Sequence, residues 1–187
     1  MRRGRRLPRP LVYTRCMGTT LPRVFLDCSA DRLVQHSGRI RICLEKLSDD
    51  QVWGRASENE NAIGNLVLHL CGNVRQWIGC GVRGGPDILV RDAEFAARGG
   101  IETALLQDRL AETVREAAET IRALPAERLG ERVTIQSQRV TLLEAIYHVV
   151  EHFAQHTGQI IFATKQLTGE DLGFYRHLSK AGPHTEA

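Results

Sequence analysis

Three of the chain's seven histidines, His148, His152 and His156, fall within nine residues of one another at intervals of four. On a helix that interval stacks successive side chains about one turn apart on one face. Neutral imidazole is the commonest metal ligand, so each successive pair could chelate one divalent ion. A helical wheel at about 100° per residue separates the pairs. Leu142, Ile146, Val149, Phe153, Thr157, Ile160 and Thr164 cluster as a core face. His156 borders that face, His152 lies further round and His148 is nearly opposite. The wheel turns His152 and His156 into an interhelical groove and His148 toward solvent or a neighbouring molecule.

A metal site inside a helical bundle needs a ligand from another helix. His69 is the candidate, in Asn61-Ala-Ile-Gly-Asn-Leu-Val-Leu-His-Leu-Cys-Gly-Asn-Val-Arg-Gln-Trp77. It lies beside an apolar stripe and shares its strip of helix with Asn73 and Gln76, as a partly hydrated site requires. Three histidines leave at least one coordination position open to water or substrate, the mark of a catalytic rather than a structural ion. Such an ion lowers the pKa of bound water to roughly 7, or holds a thiol as its thiolate at neutral pH. Asn73 and Gln159 are candidates for supporting a ligand or touching a substrate, against the ordinary alternative of interhelical hydrogen bonds. No general base is evident, and Glu151 reads as a surface charge.

Other roles compete with this one. Surface or hydrogen-bonded histidine is the expectation for His36, His177 and His184. His148-Val-Val-Glu151-His152 also matches H-x-x-E-H, the inverted zincin signature. Those proteases need an acidic ligand well downstream and a larger domain, whereas only 35 residues follow His152 here, so the match is set aside. Cys16, Cys28, Cys43, Cys71 and Cys80 are odd in number, widely spaced and without a C-x-x-C pair. They read as buried free thiols in a reducing cytosol, with Cys71, two residues from His69, filling core.

Four helical segments would position these residues. The first spans about 22–47, on Leu26, Leu33, Ile40, Cys43, Leu44 and Leu47, with Ser48-Asp49-Asp50 ending it. The second spans about 58–81, opened by a Ser57-x-x-Glu60 capping box and carrying Ile63, Val67, Leu70, Val74 and Ile78 inward. The third, about 101–124, stops at Pro125. The fourth, about 142–167, is opened by Thr141-x-x-Glu144 and closed at Gly169. Residues 132–140 suit a small hairpin before it. The 82–100 connection is long for a turn between antiparallel neighbours, so the second and third helices are expected to run parallel, in up-down-down-up order.

Composition excludes several classes. With 42% hydrophobic and 25% charged residues, the chain is neither disordered nor membrane-spanning. Residues 1–16 carry six arginines and no acid; without them 19 basic residues face 22 acidic ones. The body therefore lacks the basic excess of a nucleic-acid binder. Residues 1–21 have no apolar signal-peptide core and are expected to be a disordered basic extension, or an artefact of a start at Met17. The domain is expected over 22–170, with a tail at 171–187.

These residues resemble the DinB-like (damage-inducible, YfiT-like) superfamily. Asn61 to Ile78 resembles its second helix, and His148-Val-Val-Glu-His-Phe-Ala-Gln-His-Thr-Gly-Gln-Ile160 resembles its H-x-x-x-H-x-G-Q element. The similarity runs from about 22 to 168 and is nearest an uncharacterised bacterial branch. It implies an all-α, four-helix up-down-down-up bundle, often a homodimer, in the cytoplasm. It implies a site for zinc, nickel or iron on His69, His152 and His156. Many relatives read His-Arg-Gly-Gln where this chain has His156-Thr157-Gly158-Gln159, so any role of that arginine is lost. Within the superfamily some members resemble transferases or isomerases that use a low-molecular-weight thiol, and some are called hydrolases. The resemblance favours a thiol transferase acting on a small electrophile; the alternatives are a hydrolase and a stress-related module that binds metal or a partner without turnover.

Overall fold

The structure, a computed structural model, describes residues 20–85 and 91–176. The expected basic extension, except for its last two residues, lies outside these, as do Cys16, His177, His184 and the rest of 177–187. The described residues are mostly helical, with one small sheet. α1 spans Leu21–Leu44, α2 Asp49–Trp53, α3 Ile63–Val74, α4 Arg91–Ala96, α5 Thr103–Ala123 and α6 Leu142–Thr168. A π-helical segment, Arg75–Val82, continues α3, and a 3-10 turn, Ala126–Gly130, follows α5. β1 (Arg132–Ile135) and β2 (Gln138–Thr141) pair antiparallel, with Ile135 opposite Gln138.

α1 packs against α5 and α6, and α3 with its π-helical continuation packs against the same two helices. The apolar stripes expected for the long helices all meet in one core, with Leu26, Leu33, Ile40, Leu70, Leu110, Ile146 and Phe153 among its fully buried side chains. Burying each such side chain stabilises the fold by roughly 1.5–3 kcal/mol. α5 keeps a charged outer face on which Arg115 bridges Glu112 and Glu119. α3 has no such face, because all twelve of its residues are buried.

The structure corrects three boundaries. α1 ends at Leu44, and Ser48 does not end it but starts α2, through a reciprocal cap with Gln51. Asp49 then accepts from the Thr103 backbone N–H at 2.9 Å, capping α5 from another element. Ser57-x-x-Glu60 is not a helix cap. Glu60 accepts from the Ala56 N–H at 2.7 Å within a turn, and α3 begins only at Ile63. The third correction concerns 82–100, which is not loop throughout, since α4 lies within it. By contrast, the cap between Thr141 and Glu144 and the left-handed Gly169 end α6 as read from sequence.

Trp53 shows why α2 matters to α3. Its indole lies against Gly64, where a Cβ would come within 2.9 Å of three ring carbons. Its Nε1 donates to the Ile101 carbonyl at 2.9 Å. Gly64 thus lets α3 approach close enough for α2 and the start of α5 to clamp its first turn. No helix among the described residues is long and apolar enough to cross a membrane.

Candidate metal centre

His69 on α3 and His152 and His156 on α6 converge. His152 Nε2 lies 3.2 Å from His69 Nε2 and 3.1 Å from His156 Nε2, and the three potential ligand atoms all fall within 4.8 Å of one another. Nitrogens held roughly 2.0–2.1 Å from a single ion would lie about 3.3 Å apart in a tetrahedron and about 2.9 Å apart in an octahedron. The two observed separations fall between these values, so His152 is spaced to share an ion with each of the other two histidines.

Hydrogen bonding at the far side of two rings fixes which nitrogen faces inward. His69 Nδ1 contacts Glu94 Oε2 at 3.1 Å, and His156 Nδ1 contacts Gln159 Oε1 at 2.6 Å. Both partners are acceptors, so each Nδ1 carries the proton and each Nε2 presents a lone pair. Both lone pairs point at His152 Nε2, which can donate at most one proton. One lone pair is left facing another nitrogen, and a cation at the centre would satisfy all three. Burial, chiefly, and the nearby His69 lower the His156 pKa, while its bond to Gln159 opposes this; the net shift keeps the imidazole in its ligating, neutral form.

His69 owes its setting to α4. Asn65, fully buried and one turn before His69, donates to the carbonyls of Glu94 and Ala97 at 2.7 and 3.0 Å. Arg55 donates to Asn65 Oδ1 at 2.5 Å and to the Ala97 carbonyl at 3.0 Å. This latch lays α4 across α3, where Glu94 reaches His69 and the Phe95 ring packs 4.7 Å from the imidazole. The Glu94 side chain is only 11% exposed, and the ring N–H is what compensates the burial of its carboxylate. A carboxylate behind a histidine holds the tautomer and the ring orientation and raises ligand basicity.

The sequence pattern of a protein family of unknown function, DUF1572, matches residues 20–180. The chain belongs to that family. Two solved structures share its fold. A conserved protein from Enterococcus faecalis is similar with a TM-score of 0.64 and 16% identity, over 76% of this chain and 96% of that one. A DinB-like protein from Bacillus subtilis, YjoA, is similar with a TM-score of 0.62 and 16% identity, over 79% and 97%. The resemblance to DinB-like proteins is thus borne out, and at these identities it concerns the fold. No functionally curated protein matches the sequence.

In this DUF1572 member the expected triad comes together, and other expectations divide. Gln159, three residues beyond His156 on the same helix, lies with its Oε1 on His156 Nδ1. Asn73 is 6% exposed, one turn past His69, with its Oδ1 buried and unbonded. Gln76 accepts from Gln136 Nε2 at 2.6 Å and so pins a hairpin turn whose Gln136 and Ser137 have positive φ. His148 corrects the wheel. It is half-buried on the Trp77 ring, 4.1 Å between centroids, and its pKa is lowered chiefly by burial. The wheel missed this because the π-helical turns carry Trp77 around to α6. Cys71 is buried and its thiol pushed up to about 11 by desolvation, as a core-filling residue should be, whereas Cys28 is exposed. Sequence reasoning missed Glu94, Asn65 and Arg55. Only the spacing of Asn65, four before His69, could have signalled any of them.

Proposed function

We propose that this protein binds one divalent ion, zinc, nickel or iron, through His69, His152 and His156, and uses it as a cytoplasmic thiol transferase. The convergence of three Nε2 atoms, two of them with their protons fixed elsewhere, carries the reading. An ion held there would supply a Lewis-acid position at which a low-molecular-weight thiol is deprotonated for attack on a small electrophile. Glu94 and Gln159 orient their histidines, and the Phe95 ring and the buried wall of α3 keep water from the His69 side. The carboxylate that touches the triad, Glu94, is engaged behind the His69 ring, away from the convergence point. An ion there would lower the pKa of bound water as readily as that of a thiol, so the choice of a thiol nucleophile rests on the resemblance to thiol-using DinB-like proteins. The bundle is proposed to run up-down-down-up over 22–170 and to assemble as a homodimer; the packing of α1 and α3 each against α5 and α6 supports the helix order.

The test begins with protein expressed in medium supplemented with zinc, nickel or iron. One ion per chain should remain after desalting, and the loaded protein should consume a low-molecular-weight thiol only when a small electrophile is present. Absence of retained metal in all three preparations would overturn the site. Full metal with no turnover across a panel of thiols and electrophiles would overturn the transferase reading in favour of a binding module.

A further inference from the structure

We infer that the groove between α1, α6 and residues 171–175 is a second binding site, built for a small organic carboxylate with an apolar body. A cavity of about 270 Å³ lies there, with Arg39 and Lys165 on its walls. Among the described residues, neither cation makes an ion pair or a hydrogen bond to a side chain. Lys165 is near enough to Asp171 to help lower its pKa, without ion-pair contact. Asp171 also lines the cavity, but its carboxylate already accepts from the Gly173 N–H at 2.9 Å and from Arg176 at 3.1 Å. Positive charge is therefore in excess along the walls of the groove.

The Arg39 guanidinium is held in place without its donors being used. It sits 5.6 Å from the Phe174 ring centroid and 5.4 Å from that of Tyr175, within cation–π range. A cation–π contact uses the charge and consumes none of the N–H donors, so among the described residues the fork that matches a carboxylate bidentately has no side-chain acceptor. His36 adds a buried Nδ1 with no partner. Burial above all, then Arg39 and Arg32, lower its pKa to about 4, so at neutral pH it offers hydrogen bonding rather than a third charge.

Size and lining choose the ligand class. Pockets for drug-sized molecules are about 300–1,000 Å³, so this one suits a single ring or a short chain. Ile161, Leu172 and Phe174 offer apolar contact, and Gly158 leaves open space where a Cβ would meet nothing within 4 Å. A dianion such as inorganic phosphate would be desolvated against these groups without enough donors. The groove is also separate from the histidines. Ala154, Gly158, Ile161 and Lys165 occupy the flank of α6 turned away from His152 and His156 at about 100° per residue.

Calorimetric titration of the full chain with benzoate tests this, with benzamide and inorganic phosphate as comparators. Benzoate should bind one per chain, with both comparators weaker by about tenfold or more, the worth of one charge-assisted contact. Arg39→Gln should weaken benzoate by a similar factor, and Gly158→Leu should abolish binding by filling the cavity. His152→Ala should leave it unchanged. Lys165→Gln, at an exposed position, keeps the test decisive if Arg39→Gln unfolds, and should also weaken binding. Failure to bind benzoate, equal binding of benzamide, or tighter binding of phosphate would each overturn the inference. So would loss of benzoate binding in His152→Ala with retention in Arg39→Gln, which would put the carboxylate at the histidines instead.

Discussion

The two flanks of α6 handle their charged and ligating groups differently. On the flank toward α3, the ring nitrogens that converge meet other protein groups, although Trp77 Nε1 and Asn73 Oδ1 are buried there without a hydrogen-bond partner. His152 faces two histidines, His69 is backed by Glu94 and His156 by Gln159. On the flank toward α1, Arg39 and Lys165 lack ion-pair partners and His36 carries an unbonded buried nitrogen around an open groove. The first arrangement is rigid and prepared for a point charge. The second is roomier and its charges await a ligand that brings its own body. One helix therefore separates a site defined by coordination geometry from one defined by shape and charge excess.

The largest effect should come from breaking the first flank at its centre. His152→Ala removes the nitrogen both others face, and metal affinity should fall by more than the roughly 10–100-fold typical of losing a supporting residue. His148→Ala, one turn away, should keep its metal, because that ring packs against Trp77, 4.1 Å between centroids, and is not one of the converging histidines. Competition with a chromophoric chelator measures both. Equal losses in the two variants would mean that the histidines act as a general cluster and not as a triad.

Supporting groups should rank below the ligands and differ from each other. Glu94→Ala removes a nearly buried carboxylate from His69 Nδ1 and should weaken metal about 10–100-fold. Gln159→Ala removes a neutral, solvent-exposed partner from His156, so its effect should be smaller, in the same chelator assay. The reverse order would show that the latch of Arg55, Asn65 and α4 holds His69 without help from Glu94.

How much of each flank could be read from sequence follows from how its residues are connected. His152 and His156 are four apart, and Gln159 is three beyond His156, so helical periodicity alone places them together. His69 needed a second helix, which its apolar stripe supplied. Glu94 belongs to a short helix whose position depends on Asn65 and Arg55 reaching backbone carbonyls, and no periodicity encodes that. The start of α3 was misread because Ser57 and Glu60 have capping chemistry that a turn can also use. His148 was misread because the π-helical turns shift Trp77 out of the 3.6-residue register. The α1 groove was invisible because its members come from α1, α6 and a segment after Gly169, each of which looks like an ordinary surface.

The smallest predicted effect sharpens the contrast from the second flank. Folding lowers the His36 pKa from the ordinary histidine value of 6.5 to about 4, so between these values the unfolded chain binds the proton and the folded one does not. Stability then falls as pH drops through that window, by at most about 1.4 kcal/mol per pH unit, and is unaffected above it. Partial exposure of the ring reduces this further. Urea unfolding of wild type and His36→Asn at pH 7 and pH 5 should show a steeper loss in wild type. Losses from His148 and His156, whose pKa values burial also lowers, occur in both proteins and cancel in the difference. Parallel losses would mean that the His36 nitrogen gains a partner as the groove opens, and that the second flank is less rigidly preformed than the first.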